Sequence, residues 1–432
     1  MNSFSLDGKI LLGVSSAATQ IEGGGSDNNW YDWYKKGHIT DGADPSRANE
    51  HYERFEEDLL LMQSMGIKAY RFGIEWSKTE PRRGVFDEEV LKHYRDEIMF
   101  MLKLGIKPLL TLHHFENPMW FENMGAFECD ECVEIFTEFV GKVIETLGDI
   151  VEEYVTINEP NVYAANGLLF GIWPPGKKSF SSVSKAFTNF VRCHIAAYKE
   201  IHTLRLQRGF DNTKVGFAMH VRVFDPQNPK SIKHRLAAKI SERCFQSAVT
   251  EAMANGKCAF PVGRNKDIKN GKYYDFIGIN YYTRSTVTSP GDGVKKDVPV
   301  NDLGWEIYPE GIVRVCREFY EKYNAEIYIT ENGTCDNTDS FRARYIYEHI
   351  KALAESGLPV TRYYHWCFTD NFEWLEGESA RFGLVHIDYK TQKRTVKQSG
   401  NFFTEMIAND GVTEEMYEKY CTQCYSYKKS EE

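Results

Sequence analysis

Two glutamates are marked out by their surroundings. VEEYVTINEP (151–160) runs an apolar stretch into Asn158 and Glu159 and stops it with Pro160, and AEIYITENG (325–333) delivers Glu331 and Asn332 in the same way. A buried strand that ends in a carboxylate sets an acid where desolvation and neighbouring charge control its protonation. Two such acids facing each other, without a set of metal ligands, suit the cleavage of a glycosidic bond. One must carry a proton to the leaving oxygen, and the other must be ionised, to attack or stabilise an oxocarbenium-like centre. Arg71 is expected beside Glu331, where its charge would hold that carboxylate ionised. Glu159 is expected in a more apolar setting with a raised pKa.

Further polar residues fall at the ends of other apolar runs. Gln20 and Glu22 follow the first, Arg71 and Glu75 lie in the second, and His113 and His114 close the third. His220 closes the fifth, Asn280 and Tyr282 the sixth, and Trp366 lies in the eighth. Adjacent strand residues face opposite ways, so one ion does not readily take both His113 and His114. His114 is expected to face the pocket as a hydrogen-bonding group while His113 packs. His220 is either a pocket wall or a core residue with its hydrogen bonds satisfied; no carboxylate–histidine ligand spacing accompanies it, and the core reading is preferred.

These residues need a scaffold that gathers strand ends. The runs are KILLGVS (9–15), IKAYRFGIEW (67–76), IKPLLTLHH (106–114), VEEYVTIN (151–158), KVGFAMH (214–220), YDFIGINYY (274–282), AEIYIT (325–330) and TRYYHWCF (361–368). They are nearly continuous in apolar residues, as strands buried on both faces of a parallel sheet are. Between them lie amphipathic stretches such as HYERFEEDLLLMQSMG (51–66) and EEVLKHYRDEIMFMLKLG (88–105), each ending at glycine. Alternating strands and helices predict a closed (β/α)₈ TIM barrel, with the site at the C-terminal ends of the strands. An open doubly wound sheet is the competitor. It loses ground because SSAATQIEGGG, after the first strand, has no GxGxxG. The expected organisation is a single catalytic domain over 1–432 with extended βα loops, its last ~20 residues a C-terminal tail and SYKKSEE frayed.

Composition narrows the partners. With 52 Lys+Arg against 62 Asp+Glu the formal charge is −10, which repels phosphate backbones and argues against nucleic acid. Aromatic residues make up 14%, which suits a cleft for sugars or other flat apolar faces. No run reaches the length of a membrane span, and the N-terminus lacks a basic region followed by a long apolar stretch. The default expectation is a reducing cytoplasm. Two CxxC pairs, Cys129/Cys132 and Cys421/Cys424, lie too far apart in sequence for a zinc ribbon and read as free thiols.

Taken together, the motifs resemble glycoside hydrolase family 1, the retaining β-glucosidase and β-galactosidase group, over nearly the whole chain. LLGVSSAATQIEGG is similar to the family's N-terminal signature, and HYERFEEDLLLMQSMGIKAYRFGIEWSKTEP to its second βα unit. TINEP and ITENG resemble its two catalytic motifs, and DNFEWLEGESARFGLVHIDY its last sugar-binding loop. The resemblance implies Glu159 as acid/base and Glu331 as nucleophile, with Asn158 on the sugar 2-hydroxyl. It implies that Arg71 and Tyr282 steady the nucleophile and that Asn280 supports the same floor. Gln20, His114, Glu373 and Trp374 would bind hydroxyls, with Trp366 the platform beneath the ring. Independently, a carboxylate such as Glu373 accepts from two adjacent hydroxyls at once. No metal and no cofactor is implied.

Two departures from the family pattern stand out. His114 is followed by Phe115, Glu116 and Asn117 where Trp-Asp is usual, which removes an indole donor and bears on discrimination at the 3- or 4-hydroxyl. Glu378 stands where many members carry an aromatic residue, at the rim. The phosphosugar branch of the family replaces the Glu-Trp segment, whereas Glu373 and Trp374 are present here, and Glu373 with Glu378 would repel a phosphate dianion. The expected substrate is therefore a small unphosphorylated β-glycoside or short oligosaccharide, β-glucosides first, cleaved by double displacement. Retention requires the carboxyls about 5–5.5 Å apart. A 6-phospho-β-glucosidase and a transglycosidase are the alternatives within the family. A non-catalytic sugar-binding barrel is disfavoured because both acids are retained.

Overall fold

The computed structural model describes residues 2–25, 27–289 and 291–427. Eight parallel strands form its centre: β1 (Leu11–Ser15), β2 (Ala69–Gly73), β3 (Lys107–Thr111), β4 (Glu153–Asn158), β5 (Lys214–Pro226), β6 (Phe276–Val287), β7 (Glu326–Asn332) and β8 (Val360–Trp366). Each pairs in parallel with its successor, β8 pairs with β1, and the barrel closes. Closure leaves no sheet edge and sends every strand's C-terminus to one face.

The connecting helices follow from local chemistry. In α1 (His51–Ser64) and α2 (Glu88–Lys103) an apolar face packs on the barrel. Gly66 and Gly105, both at positive φ, stop the helices where a residue with a Cβ would be strained. Asp87 caps α2 by accepting from the backbone of Glu89 and Val90. The outer ring continues with α3 (Cys132–Leu147), α4 (Phe180–Gln207), α5 (Ile232–Glu242), α6 (Ala248–Asn255), α7 (Pro309–Tyr323), α8 (Arg342–Glu355) and α9 (Gln398–Ala408). None of the described helices is long and apolar enough to cross a membrane.

The barrel interior is plugged by one residue from every strand: Leu11, Ala69, Leu109, Val155, Ala218, Phe276, Tyr328 and Tyr364. Phe276 and Tyr328 stack at 4.1 Å between centroids. This layer is the solid floor on which the strand-end residues stand.

The expected C-terminal tail is instead docked. α10 (Glu414–Tyr420) packs against α9, Tyr425 is buried with Ile307, Phe341 and Tyr345, and Ser426–Tyr427 pairs with Pro299–Val300. Apolar positions in a polar stretch account for this: Met416, Tyr420, Cys421 and Tyr425 are all buried. The remainder of SYKKSEE lies outside the described residues. The ten cysteines are free thiols; Cys132 hydrogen-bonds with Cys193, on α4, and Cys424 is exposed while Cys421 is buried.

Candidate active site

Strand alternation alone does not bring Asn158 and Glu331 inward. Val155 belongs to the interior layer, so strict alternation would carry residue 157 into the barrel and turn Asn158 out. A register shift between Val155 and Asn158, in the pairing of β4 with β5, re-aims the end of the strand. A second shift, between Ile329 and Glu331 in the pairing of β7 with β6, does the same for Glu331. Such irregularities cluster beside active sites because they redirect one side chain. Glu159 then sits at φ +43°, a left-handed conformation that turns the chain sharply, and Pro160 opens the helical turn Pro160–Tyr163 with its φ already set. Gly333 answers a different need: a Cβ there would collide with the backbone carbonyl of Trp366.

One hydrogen-bonded chain joins the two carboxylates. Arg71 Nη1 donates to Glu331 Oε1 at 2.5 Å, and its Nη2 donates to Asn158 Oδ1 at 2.6 Å. Asn280 Nδ2 donates to the same Asn158 oxygen at 3.0 Å and to Glu159 Oε1 at 2.8 Å. Tyr282 donates its hydroxyl to Glu331 Oε2 at 2.5 Å. Arg71 is itself held by Thr111 Oγ1 at 3.0 Å and by the carbonyl of Thr330, and Thr330 Oγ1 donates to Asn280 Oδ1 at 2.6 Å. All of these groups are buried.

The polarity of the network fixes the protons. Two donors hold Asn158 Oδ1, so Asn158 Nδ2 faces His114 Nε2 at 2.9 Å and must donate to it. His114 therefore carries its hydrogen on Nδ1, which has no protein partner. Burial and Arg71 push its pKa well below the usual range, so it is neutral. Arg222 Nε donates to His220 Nε2 at 2.9 Å, which puts the hydrogen of His220 on Nδ1, pointing at Glu159 Oε1 at 3.2 Å. Glu159 Oε1 thus receives both the amide of Asn280 and the imidazole of His220, and Oε2 is the oxygen left to carry a proton.

Burial lifts the acids of the site. Glu159 is pushed up to about 7 by desolvation, against the hydrogen bond from Asn280 and the charges of Arg71 and Arg222. Glu331 is also pushed up to about 7, by desolvation foremost and by the charge of Glu159, against Arg71 and Tyr282. The expectation that Arg71 would keep Glu331 low therefore fails: removing the carboxylate from water outweighs one guanidinium. What separates the two is their donors. Glu331 has a guanidinium and a phenol, one on each oxygen, while Glu159 has an amide and a neutral imidazole on a single oxygen. A single negative charge shared by the pair settles on Glu331.

Beside the pair lies a wall suited to a polyol. Gln20 Nε2 donates to the carbonyl of Phe372 at 2.8 Å and reaches Glu373 Oε2 at 3.4 Å, leaving Gln20 Oε1 without a protein partner. Trp366 also hydrogen-bonds Glu373, whose pKa burial and the charge of Glu331 push up to about 8. Trp366 and Trp374 flank His114, at 5.7 and 5.8 Å between ring centroids. A lone donor, a lone acceptor, a carboxylate and two indoles meet the mixed needs of a sugar ring, which has hydroxyl edges and apolar C–H faces. The loop bearing Glu373 and Trp374 is pinned by Asp370, which accepts from Arg381 at 2.9 Å, Lys397 at 2.6 Å and the backbone of Gly383 at 3.0 Å.

Several residues differ from their sequence-based roles. Asn280 spends its amide on Asn158 and Glu159 rather than on substrate, while Tyr282 donates to Glu331 as the resemblance implied. His220, read as core, touches Glu159 and stacks on Tyr282, with centroids 5.6 Å apart. Its partner Arg222 was not anticipated; the signal available was the alternation that sends His220 inward two residues after Ala218. Glu22 and Glu75 turn away to Lys78, Tyr94 and Asn28. His113 packs among Phe127 and Phe190 and bonds Asn117. The Phe115-Glu116-Asn117 departure is absorbed by packing. Phe115 lies against Trp173 and Trp374, Glu116 accepts from the backbone of Trp76 and Ser77, and Asn117 bonds Tyr163 and Glu122. Glu378 sits at the rim, its backbone held by Asp41. Among the described residues no cluster of three or more histidine, cysteine or carboxylate groups could hold a metal ion.

Comparison with known proteins gives a consistent result. The sequence profile of glycosyl hydrolase family 1 matches residues 3–412. Beta-glucosidase A of Thermotoga maritima is 31% identical, over 93% of this chain and 98% of its own. The solved structure of the beta-glucosidase from Thermotoga maritima in complex with glucoimidazole superposes with a TM-score of 0.87 at 30% identity, covering 95% of this chain and 100% of that one. A beta-glycosidase from Pyrococcus horikoshii gives 0.86 at 32% identity, covering 96% and 97%.

Proposed function

The chain belongs to glycosyl hydrolase family 1, and from that premise we propose that it hydrolyses small unphosphorylated β-glycosides, β-glucosides foremost, with retention of configuration. The observation that carries the reading is the chain of hydrogen bonds Glu331–Arg71–Asn158–Asn280–Glu159, which commits two carboxylates with unlike donors to one cavity. The names of the relatives, a beta-glucosidase among them, support the choice of sugar.

In the first step a carboxylate oxygen of Glu331 attacks the anomeric carbon while Glu159 Oε2 gives its proton to the departing oxygen. The C–O bond to the leaving group breaks as the glycosyl ester forms. Water then enters, gives a proton to Glu159 and attacks the same carbon, and Glu331 leaves as carboxylate. Two inversions restore the β configuration. Tyr282 and Arg71 stabilise Glu331 when it carries charge, at the start of the first step and the end of the second. His114 Nδ1–H, Gln20 Oε1 and Glu373 fit the hydroxyls of the sugar. Asn158 keeps one amide hydrogen for the 2-hydroxyl. The rim carboxylate of Glu378 supports an uncharged sugar over its phosphate ester.

The test uses azide on two variants. Glu331→Gly should lose hydrolysis of an aryl β-glucoside and, with azide, yield the α-glycosyl azide. Glu159→Ala should keep its first step on reactive aryl glucosides and yield the β-glycosyl azide. Unchanged turnover by Glu331→Gly would remove the assignment.

A further inference from the structure

On the side of Glu159, where the leaving group must depart, the surface opens into a groove of about 680 Å³, within the range of ligand-binding clefts. Its inner end includes Asn161 and Arg222. Arg222 is joined to Glu159 through His220, and Asn161 donates to the His220 carbonyl at 2.8 Å while its own Oδ1 has no protein partner. The groove is therefore continuous with the residues that hold the proton-donating carboxyl.

Its walls have a chemistry opposite to that of the sugar pocket. They include Leu169, Phe170, Ile172, Phe180, Ile240 and Phe245, and the only charged residues among them are Arg222 and Asp292. Phe170 is 55% and Ile240 53% exposed, and Ile172 and Phe180 are exposed as well. Along α5 the apolar face continues past the groove: Leu236 is 57% and Ile232 73% exposed, one and two turns from Ile240, or roughly 6 and 12 Å at the helical rise. Contiguous exposed hydrocarbon of this extent, beside a reactive centre, marks a binding surface. Asn166, Ser241, Thr288 and Ser289 add polar groups, but apolar side chains outnumber polar ones on these walls, so a further sugar would leave much of its hydroxyl surface desolvated without return. A hydrocarbon chain or aromatic system would lose nothing and shed its contact with water.

We infer that this groove receives the aglycone, and that the preferred substrates are amphiphilic β-glycosides with an extended apolar alkyl or aryl aglycone rather than β-linked oligosaccharides. The inference rests on the β-glycosidase reading above and adds what the sugar is attached to.

The n-alkyl β-D-glucosides from methyl to octyl, kept below micelle-forming concentration, test it, because the acidity of the leaving alcohol hardly changes along the series. With a chain about half buried, kcat/KM should rise roughly twofold per methylene, on the order of a hundredfold from methyl to octyl. Cellobiose should fall well below octyl glucoside. Phe170→Ser and Ile240→Ser, both at exposed positions, should flatten the slope, and Phe170→Leu should keep it. A flat series with methyl glucoside hydrolysed, or cellobiose preferred to octyl glucoside, would overturn the inference and leave the β-glycosidase reading intact. Failure to hydrolyse any β-glycoside would overturn both. If Ile240→Ser converts a dimer to a monomer in sedimentation, a second copy covers the groove and the inference also falls.

Discussion

Removing one oxygen atom, in Tyr282→Phe, isolates the control of the nucleophile. The phenol donates to Glu331 Oε2 at 2.5 Å in a buried site, while its ring stacks on His220, a contact that phenylalanine preserves. A hydrogen bond to a charged group contributes about 1.5–3 kcal/mol, and about 1.4 kcal/mol corresponds to one pKa unit. The bond favours the anion and lowers the pKa of Glu331, so its loss raises that pKa by about one to two units. Activity requires Glu331 ionised and is lost as pH falls through its pKa, so the acid limb of kcat/KM moves to higher pH by that amount. The basic limb, set by loss of the proton from Glu159 near 7, stays in place. The bell narrows, and its maximum falls on the order of tenfold because fewer molecules hold both groups in their working states. The assay is kcat/KM on an aryl β-glucoside from pH 4 to 9. An acid limb that stays put or moves downward would refute the claim that Tyr282 stabilises the Glu331 anion.

Other outcomes follow from the same geometry. Arg222→Leu removes a positive charge that favours ionised Glu159, so the basic limb should move up by about one unit; a downward shift in the pH–rate profile would count against the Arg222–His220–Glu159 arrangement. Glu373 has a folded pKa raised from 4.5 to about 8, so its contribution to stability is fully present below pH 4.5 and is lost as pH rises towards 8. Glu373→Gln should therefore weaken sugar binding yet raise Tm relative to the parent, by more at pH 9 than at pH 5, in a calorimetric pH series. Asp370→Asn leaves Lys397 and Arg381 without their buried counter-charge and should destabilise by about 3–5 kcal/mol in urea titration at neutral pH. Burial notwithstanding, its partners hold the Asp370 pKa well below its usual 3.8. That stabilisation is present above the unfolded value and lost in acid, so the deficit of the variant should shrink towards pH 3.

Much of the barrel was legible because a parallel strand buried on both faces writes a nearly unbroken apolar run, and helices with glycine stops lie between the runs. The strand limits were less so: IKAYRFGIEW reads as one strand, but β2 ends at Gly73 and Trp76 begins a helical turn whose amides are held by Glu116. The two glutamates were found because a carboxylate at the end of such a run is costly unless used. The aim of Glu331, and of Asn158 beside Glu159, was not legible, since it depends on register shifts in β4 and β7 that leave no compositional mark. The raised pKa of Glu331 was not foreseen because burial is a property of the closed cavity rather than of ITENG. His220 was misread for a related reason, since a single histidine in an apolar run carries no sign of the Arg222 that fixes its tautomer. The C-terminal segment looked like tail because its apolar residues are sparse, but tertiary contact buries Tyr425 all the same.

The most direct measurement is to trap the intermediate. Incubation with 2-deoxy-2-fluoro-β-D-glucosyl fluoride slows release of the sugar more than its attachment, and digestion with mass spectrometry then locates the ester. A stoichiometric label on Glu331, with loss of activity that returns on transfer to an acceptor, is the predicted result. A label on another residue, or turnover of a β-glucoside releasing the α anomer first with no label at all, would contradict it.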